Sequence, residues 1–438
     1  MQAADVKPYP NCPEPGILGT MDKTKRIAVI GGGIVGITAA LELQQRGYRV
    51  TLIDRQQPGR ETSYGNTGVL SDASIVISNN PGLLQRLPRF ILKKSNALNY
   101  SLGFVLSRLP WVVRFLAYCN GTHMNYAADA LRSIQVLSLD IHHRLIQEAG
   151  AGHLLRRTGW LKLFRSEAGY HAYARERGLL ERTGVRQTFY NTEELAQLEP
   201  ALNKSCYGGI LLDDCCSVSS PAALCDAYLG LLTAAGGTVR QGAVNGLSQD
   251  KQGTWDVAFA EGASMETDKL LIAAGPWSSE IAGWLGYRIP MAWERGYHLH
   301  LHPGPGPALN RAIHDVERGY VMTPQQQGVR VTSGVELTYR DAPKNDRQIR
   351  GAIVSARELA DFGEPVEDDP WMGRRPTLVD SLPMIGAAPR HDGLWFNFGH
   401  QHTGLGMSTG SARILADLLE GKTPPIDTVP FRPGRFSL

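Results

Sequence analysis

No run of about 18 uninterrupted apolar residues occurs in the 438-residue chain, so a membrane-spanning helix of ordinary length is excluded. An excess of charge is equally lacking. Lys and Arg total 45 against 42 Asp and Glu, and a formal charge of +3 gives no basis for nucleic-acid binding as the main role. Cysteine is sparse and shows no metal-ligand or redox spacing: Cys12, Cys119 and Cys206 are isolated, and Cys215, Cys216 and Cys225 gather near a predicted helix start. They read as reduced thiols of a cytoplasmic protein, because adjacent cysteines rarely reach bridging geometry. There is no Ser-His-Asp order, no His-Glu-x-x-His and no paired-carboxylate signature. His142 and His143 are neighbours on a predicted helix, so their rings diverge and no metal site is expected. Residues 1–24 are polar and proline-rich, without the cationic flank and apolar core of a signal peptide, and are expected to form a disordered tail in which Met21 offers an alternative start.

Glycine, by contrast, is plentiful: 48 residues, well above the usual share of about 7%, with much of it in one cluster near each end. In the first cluster the apolar run Arg26-Ile27-Ala28-Val29-Ile30 leads into Gly31-Gly32-Gly33-Ile34-Val35-Gly36. This is the strand, turn and helix of a dinucleotide site. Gly31 permits the tight turn, Gly33 lets backbone approach a pyrophosphate, and Gly36 brings helix and strand together. The phosphates then meet the helix N-terminus, whose free N–H groups favour anions. Ile37, Ala40, Leu41 and Leu43 form the buried helix face, Gly47 ends it, and a second strand runs to Asp54, with Arg55 beside it. A carboxylate there accepts hydrogen bonds from a ribose and repels the extra phosphate of NADP.

Three further segments favour a flavin over a nicotinamide. The polar loop from Gly59 to Gly68, with Thr62, Ser63, Asn66, Thr67 and Gly68, suits passage between a pyrophosphate and a flat ring. Leu270-Leu271-Ile272-Ala273-Ala274-Gly275-Pro276-Trp277 reads as a strand ending in small residues. The second glycine cluster, Gly399-His400-Gln401-His402-Thr403-Gly404-Leu405-Gly406, precedes an apolar helix expected from about Ser411 to Glu420, and glycines before a helix N-terminus form a second site for an electron-rich group. Gly159–Phe164, Gly296–Leu301 and Gly328–Val335 alternate as strands do, and residues 237–244 suggest a helix-to-strand element presenting Val244 to an adenine.

These pieces, with Leu198-Glu199-Pro200, Gly373-Arg374-Arg375-Pro376, Asp380, Leu382-Pro383 and Ile385-Gly386, occur in an order that resembles the D-amino-acid oxidase and dehydrogenase superfamily, which includes glycine oxidase and sarcosine oxidase. The resemblance covers about residues 25–422. It implies an α/β fold: a Rossmann-type, glutathione-reductase-like FAD domain (25–90, 215–285 and 373–425) interleaved with an α+β substrate domain on a mixed sheet (91–214 and 286–372). It also implies oxidative deamination of a small amino acid, most simply a D-amino acid, by hydride transfer to flavin N5, the imine then hydrolysing to a 2-oxo acid. Arg375 maps to the arginine that holds the substrate carboxylate, a fit for its two-pronged guanidinium; the alternative is an ordinary buried ion pair. Tyr320 maps to a tyrosine facing the flavin, and Tyr297 is a second candidate for substrate contact or core. His402 either walls the pocket or caps the following helix. Many relatives have glycine where Gln401 stands. No cysteine follows Cys225, which points to non-covalent FAD.

The electron acceptor is left open between oxygen and a quinone or other respiratory acceptor. No acid occurs between Asp72 and Asp129, while Arg86, Arg89, Lys93, Lys94, Arg108 and Arg114 are interleaved with apolar residues. Residues 83–118 could therefore lie on an anionic membrane, placing the protein at its cytoplasmic face, or could be helices covering the substrate domain with solvated cations outside. Enzymes of secondary or N-substituted amino acids, and a non-catalytic flavin electron-transfer subunit, are the other readings; the latter has no use for Arg375.

Overall fold

The computed structural model describes residues 25–84, 98–203 and 205–438. The expected tail at 1–24 and much of the basic stretch, including Arg86, Arg89, Lys93 and Lys94, lie outside them. Two sheets dominate. The first runs in the order Thr238–Gln241, Arg49–Asp54, Arg26–Ile30, Lys269–Ile272, Leu394–Phe398, Met384–Ala387. Its first five strands are parallel and the last is antiparallel. Alternation sorts its residues between two layers: Ile27 and Val29 pack with the helices Ile34–Gln45, Pro221–Ala234 and Gly404–Leu419, while Ala28 and Ile30 pack with Trp255, Val257 and Phe259 of a three-stranded antiparallel sheet. Burial on both faces explains why these strands are almost wholly apolar.

The second sheet has eleven strands and contains the long strand Met291–Pro303, flanked by Gly328–Thr332 and Trp371–Leu378 and continuing outward through Tyr320–Gln325, Ala312–Asp315 and Trp160–Phe164. One face packs on the helix Arg347–Arg357, where Leu299, Leu301, Met322, Val329 and Val331 meet Ile349, Ile353 and Ala356. Each such side chain removed from water contributes roughly 1.5–3 kcal/mol. The other face looks toward the first sheet across a cavity.

The structure corrects four expectations. A domain boundary at residue 373 would cut the strand Trp371–Leu378, which pairs along its whole length with Met291–His298 of the large sheet, Glu294 opposite Arg375. The chain returns to the first sheet only at Met384. The helix Gly121–Glu148, placed by sequence in the substrate domain, packs instead on Gly404–Leu419: the Gly410 N–H donates to Ser138 Oγ at 2.9 Å, and a Cβ on Gly410 would lie 2.4 Å from that oxygen. The last helix begins at Gly404, seven residues before Ser411: Gly404, Gly406 and Gly410 lie within the helix and not in a loop, and Gly410 is where a neighbouring helix approaches closely. The Gly328–Val335 run also divides into two strands, Gly328–Thr332 and Val335–Leu337. Cys119, Cys206, Cys215, Cys216 and Cys225 are free thiols, all buried.

Candidate active site

A cavity of about 760 Å³ lies between the two sheets, bounded by the Gly31–Val35 turn, the 61–67 loop, Ala274–Trp277, Phe398–Gly406 and the inner face of the large sheet. At the first turn Gly31 has φ 112°, and its N–H donates to Ile53 O at 2.8 Å; a Cβ on Gly36 would lie 1.8 Å from Gly31 O. These two glycines are demanded by the backbone. Gly33 is different, since a Cβ there would meet only Ser63 Oγ at 3.4 Å, leaving its open side to the cavity. Ser63 Oγ accepts the Ile34 N–H at 2.9 Å. Asp54 accepts N–H groups from Gly32 at 2.6 Å and Gln56 at 3.0 Å, using two of its roughly four acceptor positions, and burial pushes its carboxyl pKa up. Arg55 pairs with Glu61 and stacks on Trp277, and Val244, Ala274 and Gly275 complete this end.

The 62–68 loop is held by the large sheet. Thr62 donates to Arg374 O, Gln325 to Thr67 O, and the buried Arg330 to the carbonyls of Tyr64 and Asn66, both at 2.7 Å. Asn66 accepts the Gly68 N–H and donates to His402 O. Opposite, His400 Nε2–H donates to Ser411 Oγ at 2.8 Å, whose hydroxyl donates to Met407 O; burial pushes the His400 pKa down to about 3. Gln401 adopts φ 51°, the left-handed region, and its amide donates to the carbonyl of Ser381, itself at φ 59°. Thr403 is the helix N-cap residue, and Leu405 is buried in its first turn. His402 is therefore not a cap. Its ring lines the cavity, and burial, then the charges of Arg375 and Lys162, push its pKa down to about 4.

Strand parity decides which side chains of the large sheet reach the cavity. Arg375, Gly373 and Trp371 share the inner face with Glu294, Gly296 and His298 across the pair. Arg375 lies over Gly296, where a Cβ would sit 2.2 Å from its Nη2, and its nearest polar contact is a 3.3 Å donation to Gly334 O. Burial lowers its pKa and Glu294 raises it; no carboxylate of the described residues is within ion-pair distance. The ordinary buried ion pair considered from sequence is thus not what the structure contains. Tyr297 and Tyr320 are one residue out of phase. Both border the cavity, yet the Tyr297 hydroxyl donates to Glu336 and accepts from Arg295, and the Tyr320 hydroxyl accepts from Arg165, on the side packed against Arg347–Arg357. These hydroxyls are held by the protein itself, so both residues stand as walls of the cavity, as the resemblance allows for Tyr320, and not as hydrogen-bond donors to a substrate.

Sequence reasoning missed Glu294, Lys162, His314 and Asn397, all of which line the cavity. A lysine within Trp160-Leu161-Lys162-Leu163-Phe164 was the one legible signal, a charge on a strand otherwise apolar. Asn397 is fully buried with neither amide atom partnered, and Glu294 Oε2 is likewise unpartnered.

The family model of FAD dependent oxidoreductases, DAO, matches residues 26–418. The chain belongs to this family. It is 30% identical over 426 residues to a D-amino-acid oxidase of Bradyrhizobium diazoefficiens, covering 95% of this chain and all of the relative. A D-amino acid dehydrogenase of Chromohalobacter salexigens is 29% identical, with 94% and 100% covered. Glycine oxidase from Geobacillus kaustophilus shares the fold, with a TM-score of 0.73 at 20% identity over 93% of this chain and 98% of that one. The residues present fit FAD: an open Gly33 cradle at one helix N-terminus, the Gly404 helix N-terminus across the cavity, and the unpartnered Asn397 amide between the sheets.

Proposed function

We propose that this FAD-dependent enzyme oxidises the Cα–N bond of a small amino acid, most simply of D configuration, to an imine that water hydrolyses to a 2-oxo acid. One observation carries the reading: Arg375, a charged fork without a carboxylate partner among the described residues, faces the cavity beside the Gly399–Leu405 loop. FAD, when bound, supplies a two-electron acceptor for hydride. The chain supplies position. Arg375 takes the substrate carboxylate in two parallel hydrogen bonds, Glu294 opposite it favours the charged guanidinium, and neutral His402 walls the site without opposing the cation. Both relatives named above act on D-amino acids, which supports that configuration. No cysteine borders the cavity among the described residues, which favours non-covalent FAD.

The test is an anaerobic bleach of the flavin absorbance against D-, L- and N-substituted amino acids. Reduction by a D-amino acid is expected, slowed roughly 100- to 1000-fold in Arg375→Ala, the size typical of removing one partner from a buried charged pair. A flavin-loaded protein that no amino acid reduces, or an Arg375→Ala variant reduced at the native rate, would overturn the proposal. Release of FAD into the supernatant on acid precipitation checks the non-covalent hold.

A second reading concerns the acceptor. Leu102 and Leu106 on the helix Leu102–Ser107, and Leu109 and Val113 on the next, Leu109–Ala117, are exposed at 64%, 61%, 49% and 58%, with Arg108 and Arg114 also exposed. No helix among the described residues is long and apolar enough to cross a membrane. These exposed apolar and basic residues suit contact with an anionic bilayer surface, hence quinone as acceptor; co-sedimentation with anionic but not neutral vesicles, together with slow reoxidation in air, is the expected result, and rapid reoxidation by oxygen would favour an oxidase.

A further inference from the structure

Arg375 is not the only unpaired cation in the cavity. Lys162 sits on the strand Trp160–Phe164, whose Leu161 and Leu163 turn into the core while Trp160 and Lys162 turn to the cavity. The lysine is 6% exposed. Its Nζ donates to His314 Nδ1 at 3.2 Å and lies 3.1 Å from the centre of the Trp160 ring. His314 stands directly opposite it on the neighbouring strand. Burial and the lysine's own charge hold that imidazole neutral, which leaves Nδ1 as an acceptor.

No carboxylate of the described residues pairs with Lys162. Burying an ammonium without a counter-charge is costly, and a methionine would occupy the same strand position without that cost. An aromatic face and a neutral histidine hold the ammonium in place, but neither neutralises it. The arrangement is that of an anion anchor whose anion comes with the ligand. Lys162, Arg375 and His402 all line the one cavity, and both cations bear on the His402 ring. In the absence of an anion, burial pushes the lysine pKa down to about 7; an arriving carboxylate would restore its charge, with uptake of a proton.

Resting on the function proposed above, we infer that Lys162 is a specificity-determining second anchor and that the preferred substrate carries an acidic group beyond its α-carboxylate, as a dicarboxylic amino acid does. Arg375 receives the α-carboxylate, and Lys162, oriented by His314 and Trp160, receives the distal one.

The decisive comparison uses the flavin-loaded enzyme with D-glutamate and D-glutamine, near-isosteres that differ in distal charge. The native enzyme is expected to reduce its flavin with a kcat/KM for D-glutamate about tenfold or more above that for D-glutamine. The ratio should collapse towards one in Lys162→Met and be partly kept in Lys162→Arg. A native ratio of one or below, with neutral amino acids reducing the flavin, overturns the second anchor and leaves amino-acid oxidation standing. A high ratio that persists in Lys162→Met also overturns it, as does a Lys162→Met flavin spectrum already altered without substrate. If Lys162→Met does not fold, the native enzyme alone decides through equilibrium binding of glutarate against its neutral half-amide, glutaramate, followed by the flavin absorbance and by proton uptake. Tighter glutarate binding with proton uptake supports the anchor; equal binding overturns it, even if no amino acid reduces the flavin.

Discussion

The two sheets build their halves of the cavity from different materials. The parallel sheet contributes mainly backbone: the Gly31–Gly36 turn, a helix N-terminus and the small residues Ala274 and Gly275. The large sheet contributes side chains chosen by strand phase: Glu294, Arg375, Lys162 and His314 turned inward, while Tyr297 and Tyr320 border the cavity with their hydroxyls bound on the other side. A backbone site tolerates almost no added atom yet reads the same in any sequence that keeps its glycines. A side-chain site is tolerant in shape and is remade by moving one residue along a strand.

The sharpest way to break this contrast is Gly36→Ala. Its Cβ would sit 1.8 Å from Gly31 O, so the turn must open. The expected result is loss of bound flavin, read as the ratio of visible to ultraviolet absorbance, and a marked fall in melting temperature. A flavin-loaded Gly36→Ala would show that the turn is more adaptable than its geometry. Arg375→Ala is the opposite case, retaining flavin while losing its reduction.

A second expectation concerns pH. His142 is fully buried, its Nε2–H donating to Leu405 O at 2.9 Å and Nδ1 accepting from Tyr228, and burial pushes its pKa down to about 4. The unfolded chain binds this proton near pH 6.5, the folded chain only near 4, so stability is full above about 6.5 and is lost as pH falls towards 4. From pH 7 to pH 5 this one group should cost about 2 kcal/mol. The difference between urea midpoints at the two pH values should narrow in His142→Asn, the buried His314, His400 and His402 keeping the remainder; an unchanged difference would remove His142 from the account.

The smallest effect tests strand phase itself. Tyr320→Phe removes a hydroxyl that meets Arg165, outside the cavity. It should cost about 1 kcal/mol of stability and leave kcat/KM within about twofold, because no substrate contact is lost. A large fall in kcat with unaltered stability would return Tyr320 to the site.

Gln401 shows where sequence and structure meet halfway. Its place in the loop invited glycine, and φ 51° gives the reason: the left-handed backbone strains any residue with a Cβ. The amide bond to Ser381 O offsets some of that strain, and this could not be read from the chain, because Ser381 lies 20 residues away and is itself left-handed.

By itself the sequence determined the dinucleotide half, since a strand, a glycine turn and a helix N-terminus are formed by consecutive residues and their geometry is local. It also marked Arg375 through a short motif. Tertiary structure alone decided that Glu294, Lys162 and His314 join it and that the hydroxyls of the two bordering tyrosines are held elsewhere. Facing direction on a strand repeats every two residues, and its phase is set by partners such as Trp371–Leu378, some eighty residues from Met291–Pro303 in sequence, so no local pattern could specify it.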